Sequence, residues 1–375
     1  MTKRKRKNLI LTNNLVFMEK AAIILVNYKD YAERFLMECR DSLRNQTYPK
    51  EDYQVYIIDN AASSKSRNFL ENCFPEAKVL PREDGNYSAA NNLGIKKARE
   101  DGFKNFIVAN MDTKFDEHWL EELIKAVNSD ERIGLAQSKI LLYPKNGKEW
   151  NEPLINSLGN ALHYLGFGYT SGYGKKNSDF PESEITDIAG YASGCSLAIK
   201  NEVLDKIGLY DEEYYMYHDD IELGWRVRLA GYRLVLAPAS IVYHKYEFLR
   251  SLRMFYYMER NRYIAIFSFY RLATLFLLLP MLLFMDGALW FYSVINGQFL
   301  IKFKVWRYFF KITTWRHIFT VRKKVRKYRK LNDREILKNL TGKILFQEVA
   351  NPLLKNVANP LNELYLKLIR RVVFW

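Results

Sequence analysis

Between residues 20 and 143, short apolar runs alternate with segments of helical periodicity, and this alternation restricts the fold more than any other feature of the sequence. The apolar runs lie at residues 21–28, 54–59, 78–80, 103–109 and 135–143, and the helical segments at 29–45, 66–73, 91–100 and 117–128. A short apolar run that ends in polar residues is typical of a strand buried on both faces. The alternation predicts an α/β fold with a Rossmann-like, mostly parallel sheet flanked by helices.

Polar side chains stand where three of these apolar runs end. Asn27 and Asp59 lie at the ends of the first two runs, and Asp112 follows the fourth. Ligands of doubly wound sheets bind at the carboxyl ends of the strands. We therefore expect these three residues to line a ligand site at one edge of the sheet.

The pattern is less regular after residue 143. Residues 150–180 are rich in Gly, Asn and Tyr and have few periodic apolar residues, which predicts a long loop. Such a loop in a compact domain is usually functional or disordered, and its aromatic content favours a function in covering a substrate. Further strands are predicted at 196–200, 233–237 and 241–244, helices at 201–207 and from about 220, and helices again beyond 247.

A cluster of acids begins the helix predicted near residue 220. Asp219 and Asp220 are adjacent, Glu222 follows, and His244 ends a later strand. Together with Asp112, these groups could hold a divalent metal ion and deprotonate a hydroxyl group. The alternative is that the acids only complement the helix dipole; their order along the chain favours catalysis.

The motifs, taken in order, resemble a known family. They are LVNY at 25–28, IDNA at 58–61, NYSAANN at 86–92, ANMD at 109–112, SGC at 193–195, YHDD at 217–220, WR at 225–226 and YH at 243–244. Each is weak alone, but the series resembles the inverting family 2 glycosyltransferases of GT-A fold, particularly their rhamnosyltransferase-like branch. The resemblance covers roughly residues 20–265.

The resemblance implies a donor site for a nucleotide-diphosphate sugar. Asp59 matches the acid that accepts a hydrogen bond from a pyrimidine base, and Asn27 would lie beside that base. Asp112 matches the last acid of a metal-binding Asp-x-Asp, and His244 a histidine that adds a second ligand in some members. This ligand set suits Mn²⁺ or Mg²⁺, which would neutralise charge on the leaving diphosphate.

The resemblance also implies a general base. Asp220 matches the residue that takes the proton from the acceptor hydroxyl as its oxygen attacks the anomeric carbon. Asp219, where the family often has Glu, could orient the acceptor or the base, and adjacent carboxylates raise the pKa of one of them. Asn91 and Asn92 are equally consistent with contacting the donor and with capping the following helix.

Two positions depart from the family pattern. Asn110 replaces the first acid of Asp-x-Asp, so metal affinity would be lower or the metal would arrive with the nucleotide. The sequence Asp84-Gly85-Asn86 stands where the family has Asn-x-Gly; because Asn tolerates positive φ, we expect the turn to be kept.

The net charge of +15 is concentrated outside the predicted catalytic region. Residues 3–7 are all basic, and residues 301–330 contain twelve Lys and Arg and no acid. Such blocks bind nucleic acid or an anionic membrane. The adjacent apolar, aromatic stretch at 272–295 favours the membrane. Because Pro280, Asp286 and Gly287 interrupt it, three arrangements stay open: an interfacial or re-entrant anchor, a true span, and a buried core hairpin.

These features predict a basic tail (1–19), a catalytic region (20–250, with a nucleotide-binding half 20–143 and an acceptor half 144–250) and a helical, membrane-associating region (251–375). Cys39, Cys73 and Cys195 lack metal-type spacing and are expected to be free thiols in a reducing cytoplasm. We expect a glycosyltransferase on the cytoplasmic face of the membrane, peripheral or monotopic, acting on a lipid-linked or polysaccharide acceptor. A homodimer is compatible with the C-terminal helices. The alternatives are a non-catalytic sugar-nucleotide-binding relative and, less favoured, a nucleic-acid-binding protein.

Overall fold

The computed structural model describes residues 19–181, 184–246, 252–345, 352 and 354–375. The basic residues 3–7 lie outside the described residues. The short segments between these ranges also lie outside them.

The N-terminal part has the predicted alternation of strands and helices. Its elements are β1 (Ala21–Asn27), α1 (Tyr31–Arg44), β2 (Tyr53–Asn60), α2 (Ser64–Cys73), β3 (Lys78–Arg82), α3 (Tyr87–Glu100), β4 (Asn105–Ala109), β5 (Thr113–Phe115), α4 (Trp119–Asn128) and β6 (Ile133–Leu142). The main difference from the prediction is α3, which begins four residues before position 91. The short strand β5 was not predicted.

The second part contains α5 (Gly147–Asn151), β7 (Ile155–Ser157), β8 (Asn160–Leu162), β9 (Gly168–Thr170), β10 (Thr186–Asp187), β11 (Ser196–Lys200), α6 (Asn201–Ile207), α7 (Asp219–Leu229) and β12 (Arg233–His244). The predicted loop at 150–180 therefore includes three short strands, of which β7 pairs with β6 and β8 with β9. The strands predicted at 233–237 and 241–244 form one strand, β12, whose pairing with β6 shifts in register between Ala237 and Ile241.

One mixed sheet organises these elements, in the order β10-β12-β6-β11-β4-β1-β2-β3. The pairs β1–β2, β1–β4, β2–β3 and β6–β12 are parallel, whereas β11 runs antiparallel to both β4 and β6. The mostly parallel sheet flanked by helices is confirmed. Because β11 runs in the opposite direction, its first residues lie at the edge where β1, β2 and β4 end.

The sheet is buried on both faces by separate apolar clusters, as its continuous apolar strands predict. Helix α3 packs very closely on one face. A Cβ atom added to Gly94 would lie 2.7 Å from Cγ2 of Ile24 and 3.3 Å from Cδ1 of Ile58. A side chain larger than hydrogen at this position would push α3 away from β1 and β2.

The C-terminal region is helical, as predicted. It consists of α8 (Leu252–Phe269), α9 (Leu272–Ile295), α10 (Phe299–Phe309), α11 (Ile312–Tyr328), α12 (Asp333–Lys338), a π-helical turn (Leu354–Ala358) and α13 (Asn359–Val372). One buried cluster joins these helices to the region that contains α7, for example where Trp225 packs against Phe269 and Tyr270. Trp225 is buried in this cluster, with 3% of its surface exposed.

Helix α9 runs without a break through Pro280, Asp286 and Gly287. The expected interruption of the helix is therefore wrong. The carboxylate of Asp286 is buried and bonded to Lys302, and Pro280 lies on the exposed side. Within the described part of the chain, α9 is the one helix that is long and apolar enough to cross a membrane, judged by length and composition alone.

Candidate active site

Asn27 and Asp59 meet at the ends of β1 and β2, where they are register partners. Nδ2 of Asn27 donates a hydrogen bond of 2.8 Å to Oδ1 of Asp59, and Oγ of Ser66 donates one of 2.7 Å to Oδ2. Both Asn27 and Asp59 are fully buried. The carboxylate of Asp59 is thus held in a fixed orientation, and each of its oxygens keeps a second lone pair. Ser66 was not predicted to belong to this group.

Asp112 and His244 form a second pair at the same edge of the sheet. Strand β5 brings them together, because Thr113 pairs with His244, and Nε2 of His244 lies 3.3 Å from Oδ2 of Asp112. Nδ1 of His244 is 3.1 Å from Oδ1 of Asn156, a residue of β7 that sequence reasoning missed. These contacts fix the imidazole so that its Nε2 side faces the aspartate.

The electrostatics of this pair favour two charged groups. Burial acts to raise the pKa of Asp112, but the hydrogen bond and the charge of His244 outweigh it, and the pKa lies below the usual value. Burial acts against a charged His244, whereas Cys195 and Asp112 beside it hold its pKa well above the usual value. The remaining oxygen, Oδ1 of Asp112, is buried and has no hydrogen-bond partner among the described residues.

This unpartnered oxygen tests whether a metal ion suits the site. A buried carboxylate oxygen without a donor is available to a cation, and an imidazole stands next to it. The described residues contain no group of three His, Cys, Asp or Glu side chains that could hold a metal ion. Asp112 and His244 therefore fit an ion that displaces the proton of the imidazole and takes its remaining ligands from a bound molecule.

Asn110, which replaces an acid of the family motif, contacts other parts of the site. Its backbone N–H donates to the carbonyl of Cys195 at 2.9 Å, and its Oδ1 lies 3.4 Å from the hydroxyl of Tyr87. The backbone N–H of Gly194, the residue before Cys195, donates to Oδ2 of Asp220 at 3.4 Å. The turn before β11 thus connects Asp220 to the segment that carries Asp112.

Asp219 and Asp220 begin helix α7, as the sequence predicts. Asp219 is buried and Asp220 half-buried. Burial and the neighbouring charge of Asp220 raise the pKa of Asp219. Burial also raises the pKa of Asp220, although the N–H groups of Ile221, at 2.8 Å, and Gly194 act in the opposite direction. A half-buried carboxylate with a raised pKa is a suitable proton acceptor.

Glu222, the third acid of the cluster, has a structural role. Its carboxylate accepts two hydrogen bonds from the buried guanidinium of Arg226, one of them 2.7 Å from Nη2. The same guanidinium donates to the carbonyls of Ile207, Gly208 and Leu209. The pair thus ties α7 to the segment that follows α6.

The cap of α3 is Asn86, whose Oδ1 accepts from the N–H of Ala89 at 3.1 Å. The alternative in which Asn91 or Asn92 caps the helix is therefore wrong, and the positive φ of the turn falls on Gly85 rather than on Asn86. Asn92 bonds to the backbone of Tyr210. Asn91 is fully buried, and its Oδ1 has no hydrogen-bond partner among the described residues, which leaves this oxygen available to a ligand.

Two other histidines are buried rather than exposed. Nε2 of His163 lies 3.1 Å from the carbonyl of Gly342, and Nε2 of His218 lies 3.2 Å from the carbonyl of Gly166. Burial lowers the pKa of His163 to about 3 and that of His218 to about 4. The three cysteines are free thiols, as predicted.

Comparison with known proteins agrees with the resemblance stated above. The glycosyl transferase family 2 model matches residues 22–207. The O-antigen biosynthesis protein RfbC of Myxococcus xanthus is 25% identical over 227 residues, which are 59% of this chain and 17% of RfbC. The N-acetylglucosaminyl-diphospho-decaprenol L-rhamnosyltransferase of Mycobacterium tuberculosis is 24% identical over 242 residues, which are 60% of this chain and 75% of that protein.

A solved structure of GalNAc-T7 with UDP, GalNAc and Mn²⁺ aligns with a TM-score of 0.51 and 16% identity, over 67% of this chain and 48% of that one. At this identity the likeness concerns the fold alone. The chain spans less than two thirds of both RfbC and GalNAc-T7. The motifs, the mixed sheet and the matched family model agree: this chain belongs to glycosyltransferase family 2 and is a glycosyltransferase of GT-A fold.

Proposed function

We propose that this glycosyltransferase moves a sugar from a nucleotide-diphosphate donor to a hydroxyl group of a lipid-linked or cell-surface glycan, with inversion, and that Asp220 is the general base. The observation that carries the proposal is the position of Asp220. Its carboxylate is half-buried, and burial raises its pKa. Hydrogen bonds of Gly194 to Asp220 and of Cys195 to Asn110 connect it to the segment that carries Asp112. The rhamnosyltransferase relative, whose name includes a decaprenol diphosphate, supports a lipid-linked acceptor.

In the proposed reaction Asp220 accepts the proton of the acceptor hydroxyl, and that oxygen forms a bond to the anomeric carbon. The bond between this carbon and the diphosphate oxygen breaks, and its electron pair leaves with the nucleotide diphosphate. Attack from the side opposite the leaving group inverts the configuration. A general base of this kind contributes about 10²–10⁴-fold to the rate. Asp219, beside it, would orient the acceptor or the base.

The donor would lie at the ends of β1 and β2. Asp59 would accept a hydrogen bond from the N–H of a uracil or thymine ring, with Asn27 beside the ring and Asn91 contacting the donor through its unpartnered Oδ1. Asp112 and His244 would hold Mn²⁺ or Mg²⁺. When bound, that ion would neutralise negative charge on the diphosphate. Rhamnose from dTDP-rhamnose is the preferred donor sugar, and UDP-hexoses are compatible with the same contacts.

Thermal unfolding with UDP, dTDP and GDP, each with and without Mn²⁺, tests the donor site. A ligand at about 100 times its dissociation constant stabilises the folded state by about 2.7 kcal/mol. We expect a pyrimidine nucleotide to stabilise the wild type in a metal-dependent way, and Asp112→Asn to lose that dependence. Asp220→Asn should still bind the nucleotide but lose sugar transfer. If no nucleotide stabilises the wild type, or if Asp220→Asn transfers sugar normally, the proposal is wrong.

We also propose that the C-terminal helices bind the cytoplasmic face of an anionic membrane. In the described part of the chain, 22 of the 26 exposed large apolar side chains belong to residues 272–374. On α9 they form one side of the helix, which includes Leu272, Phe276, Leu279 and Leu283. The opposite side, with Leu278, Met281 and Met285, packs on the protein. Exposed apolar side chains concentrated in one part of a molecule mark an interaction site.

Charge favours a lipid surface over a second copy of the chain. Exposed bases that have no carboxylate partner among the described residues accompany the apolar side chains on α10 and α11: Lys304, Arg307, Lys311, Arg316, Lys323, Lys324, Arg326 and Lys327. A symmetric dimer through this surface would bring the two sets of bases together, whereas anionic headgroups would neutralise them. Because α10, α11 and α13 also carry exposed apolar side chains, α9 would lie in the interface rather than span the bilayer.

Co-sedimentation with neutral vesicles and with vesicles that contain an anionic lipid tests the membrane proposal. We expect binding to the anionic vesicles, reduced by Leu283→Glu and unchanged by Met37→Glu, a matched change of an exposed residue on α1. Light scattering of the same variants provides the control for self-association. If Leu283→Glu dissolves a dimer and the wild type binds no vesicle, the surface is a homodimer contact and the membrane proposal is wrong.

A further inference from the structure

The segment that leads into the acid pair has an unusual backbone conformation. Tyr215, Tyr217 and His218 have φ angles of 63°, 62° and 62°, in the left-handed region that side chains other than Gly rarely adopt. His218 directly precedes Asp219 and Asp220. Each such residue costs free energy and persists only when the surrounding structure holds it. The direction in which the acid pair enters the site therefore depends on whatever stabilises residues 214–218.

A single buried side chain of the C-terminal region contacts three backbone carbonyls of this segment. Nδ2 of Asn261, on α8, lies 2.8 Å from the carbonyl of Tyr214, 3.0 Å from that of Met216 and 2.7 Å from that of Tyr217. Asn261 is fully buried. Its amide group, which carries two N–H donors, thus serves three carbonyls of one strained turn.

Arg260 fixes the orientation of that amide. Its Nε donates to Oδ1 of Asn261 at 2.9 Å, so the Nδ2 side must face the turn. Its Nη2 also donates to the carbonyls of Glu213 at 2.5 Å and Tyr214 at 3.1 Å. Arg260 and Asn261 therefore bind four backbone carbonyls in the segment before α7. These are the carbonyls of Glu213, Tyr214, Met216 and Tyr217.

The other side of the same turn is tied to the site itself. The carbonyl of Tyr215 accepts from the N–H of Tyr87 at 2.7 Å, at the start of α3. The hydroxyl of Tyr87 in turn lies 3.4 Å from Oδ1 of Asn110. The turn at 214–218 is thus held between α8 on one side and the donor-side helix α3 on the other.

We propose that Arg260 and Asn261 are positioning residues, which hold the turn at residues 214–218, with its three left-handed residues, and thereby aim Asp220 at the acceptor hydroxyl. The proposal rests on the proposed role of Asp220 as general base. It assigns α8 to the catalytic machinery, although this helix lies beyond the segment of the family model. A misplacement of a reacting group by about 1 Å costs about 100-fold in rate, so loss of this support should act on turnover.

The variant Asn261→Ala removes the amide and leaves the apolar packing of α8 in place. We expect kcat to fall by about 10- to 100-fold, while the dissociation constant of the nucleotide changes by less than about threefold, because the donor contacts lie on other elements. Hydrogen–deuterium exchange should increase in peptides that cover residues 211–222 and stay unchanged in peptides that cover β11. Arg260→Ala should give the same pattern with a smaller loss.

Tyr263→Phe is the matched control. It lies two residues further along α8, is also buried, and loses a buried hydrogen bond of 2.6 Å to Oδ1 of Asp286. If Asn261 had a purely structural role, both variants would lose activity in proportion to their loss of stability, and this result would overturn the proposal. A kcat equal to that of the wild type in Asn261→Ala would also overturn it. If Asp220→Asn transfers sugar normally while Asn261→Ala loosens residues 211–222, the assignment of the base is wrong and the positioning of the turn stands.

Discussion

Lys302 joins three helices of the C-terminal region, and its replacement tests how that region is built. It lies on α10 and is fully buried. Its ammonium group is 3.0 Å from Oε2 of Glu259 on α8 and 2.5 Å from Oδ1 of Asp286 on α9. Burial acts to raise the pKa of Glu259, but Arg262 and Lys302 lower it to about 2. The carboxylate of Glu259 is therefore ionised at neutral pH.

The variant Lys302→Met keeps most of the side-chain volume and removes the ammonium group. Glu259 keeps Arg262, whose Nη2 lies 3.1 Å from Oε2, whereas among the described residues Asp286 keeps only the hydroxyl of Tyr263 at 2.6 Å. Removing one partner of a buried ion pair costs about 3–5 kcal/mol. With an unfolding entropy of about 2.1 cal/mol/K per residue, Tm should decrease by about 1.3 °C for each kcal/mol, or by about 4–6 °C in total.

Thermal unfolding followed by circular dichroism measures this decrease. The second change Asp286→Asn, made in the Lys302→Met background, removes the uncompensated carboxylate and should recover at least half of the lost stability. Lys304→Met is the matched control, because Lys304 is exposed on the same helix and should change stability by no more than about 0.5 kcal/mol. If Lys302→Met unfolds within about 1 °C of the wild type, helices α8, α9 and α10 do not pack around this ammonium group.

Three further predictions concern the active site and the sheet. Burial raises the pKa of Asp220, and the base must be ionised to act. The value of kcat should therefore decrease as the pH is lowered through a pKa above that of an ordinary aspartate. A kcat–pH profile with its acidic limb at about 3.9 would contradict this. Gly94→Ala should destabilise the protein by about 1–3 kcal/mol in chemical denaturation because its Cβ would contact Ile24, whereas Gly147→Ala, which meets no atom within 4 Å, should not. Asn86→Ala should cost about 1 kcal/mol as a lost cap without weakening nucleotide binding, whereas Asn91→Ala should weaken binding in a titration calorimeter; equal effects on binding would refute the distinction.

The sheet was predictable from the sequence because its strands are buried on both faces. A continuous apolar run such as residues 21–28 has no solvent-facing side, and it can be placed only in a parallel sheet covered by helices. The start of α3 was not predictable in the same way. Asn86, Asn91 and Asn92 are all favourable caps by residue type, and only the turn at Gly85, with its positive φ, selects Asn86.

The acids of the site were found because carboxylates stand at two strand ends and one helix start, in an order that resembles the family 2 glycosyltransferases. Their supporting residues were missed for a physical reason. Asn261 bonds to backbone carbonyls, and Ser66, in α2, bonds to the carboxylate of Asp59 seven residues earlier in the chain. Neither contact produces a spacing or a composition that can be recognised in a sequence. The break predicted in α9 at Pro280 and Asp286 is absent. A charge in an apolar stretch suggests a break until its partner, here Lys302, is known.

Four consecutive residues of α8 connect the proposed membrane surface to the proposed base. Glu259 binds Lys302 of α10, Arg260 and Asn261 bind the turn before Asp220, and Arg262 returns to Glu259 while it donates to the carbonyl of Leu165 at 3.1 Å. A displacement of α10 relative to α8 would therefore be transmitted to the turn that aims the base. This arrangement would fix the height of the catalytic carboxylate above the lipid surface, which is what a transferase needs if its acceptor is anchored in that surface.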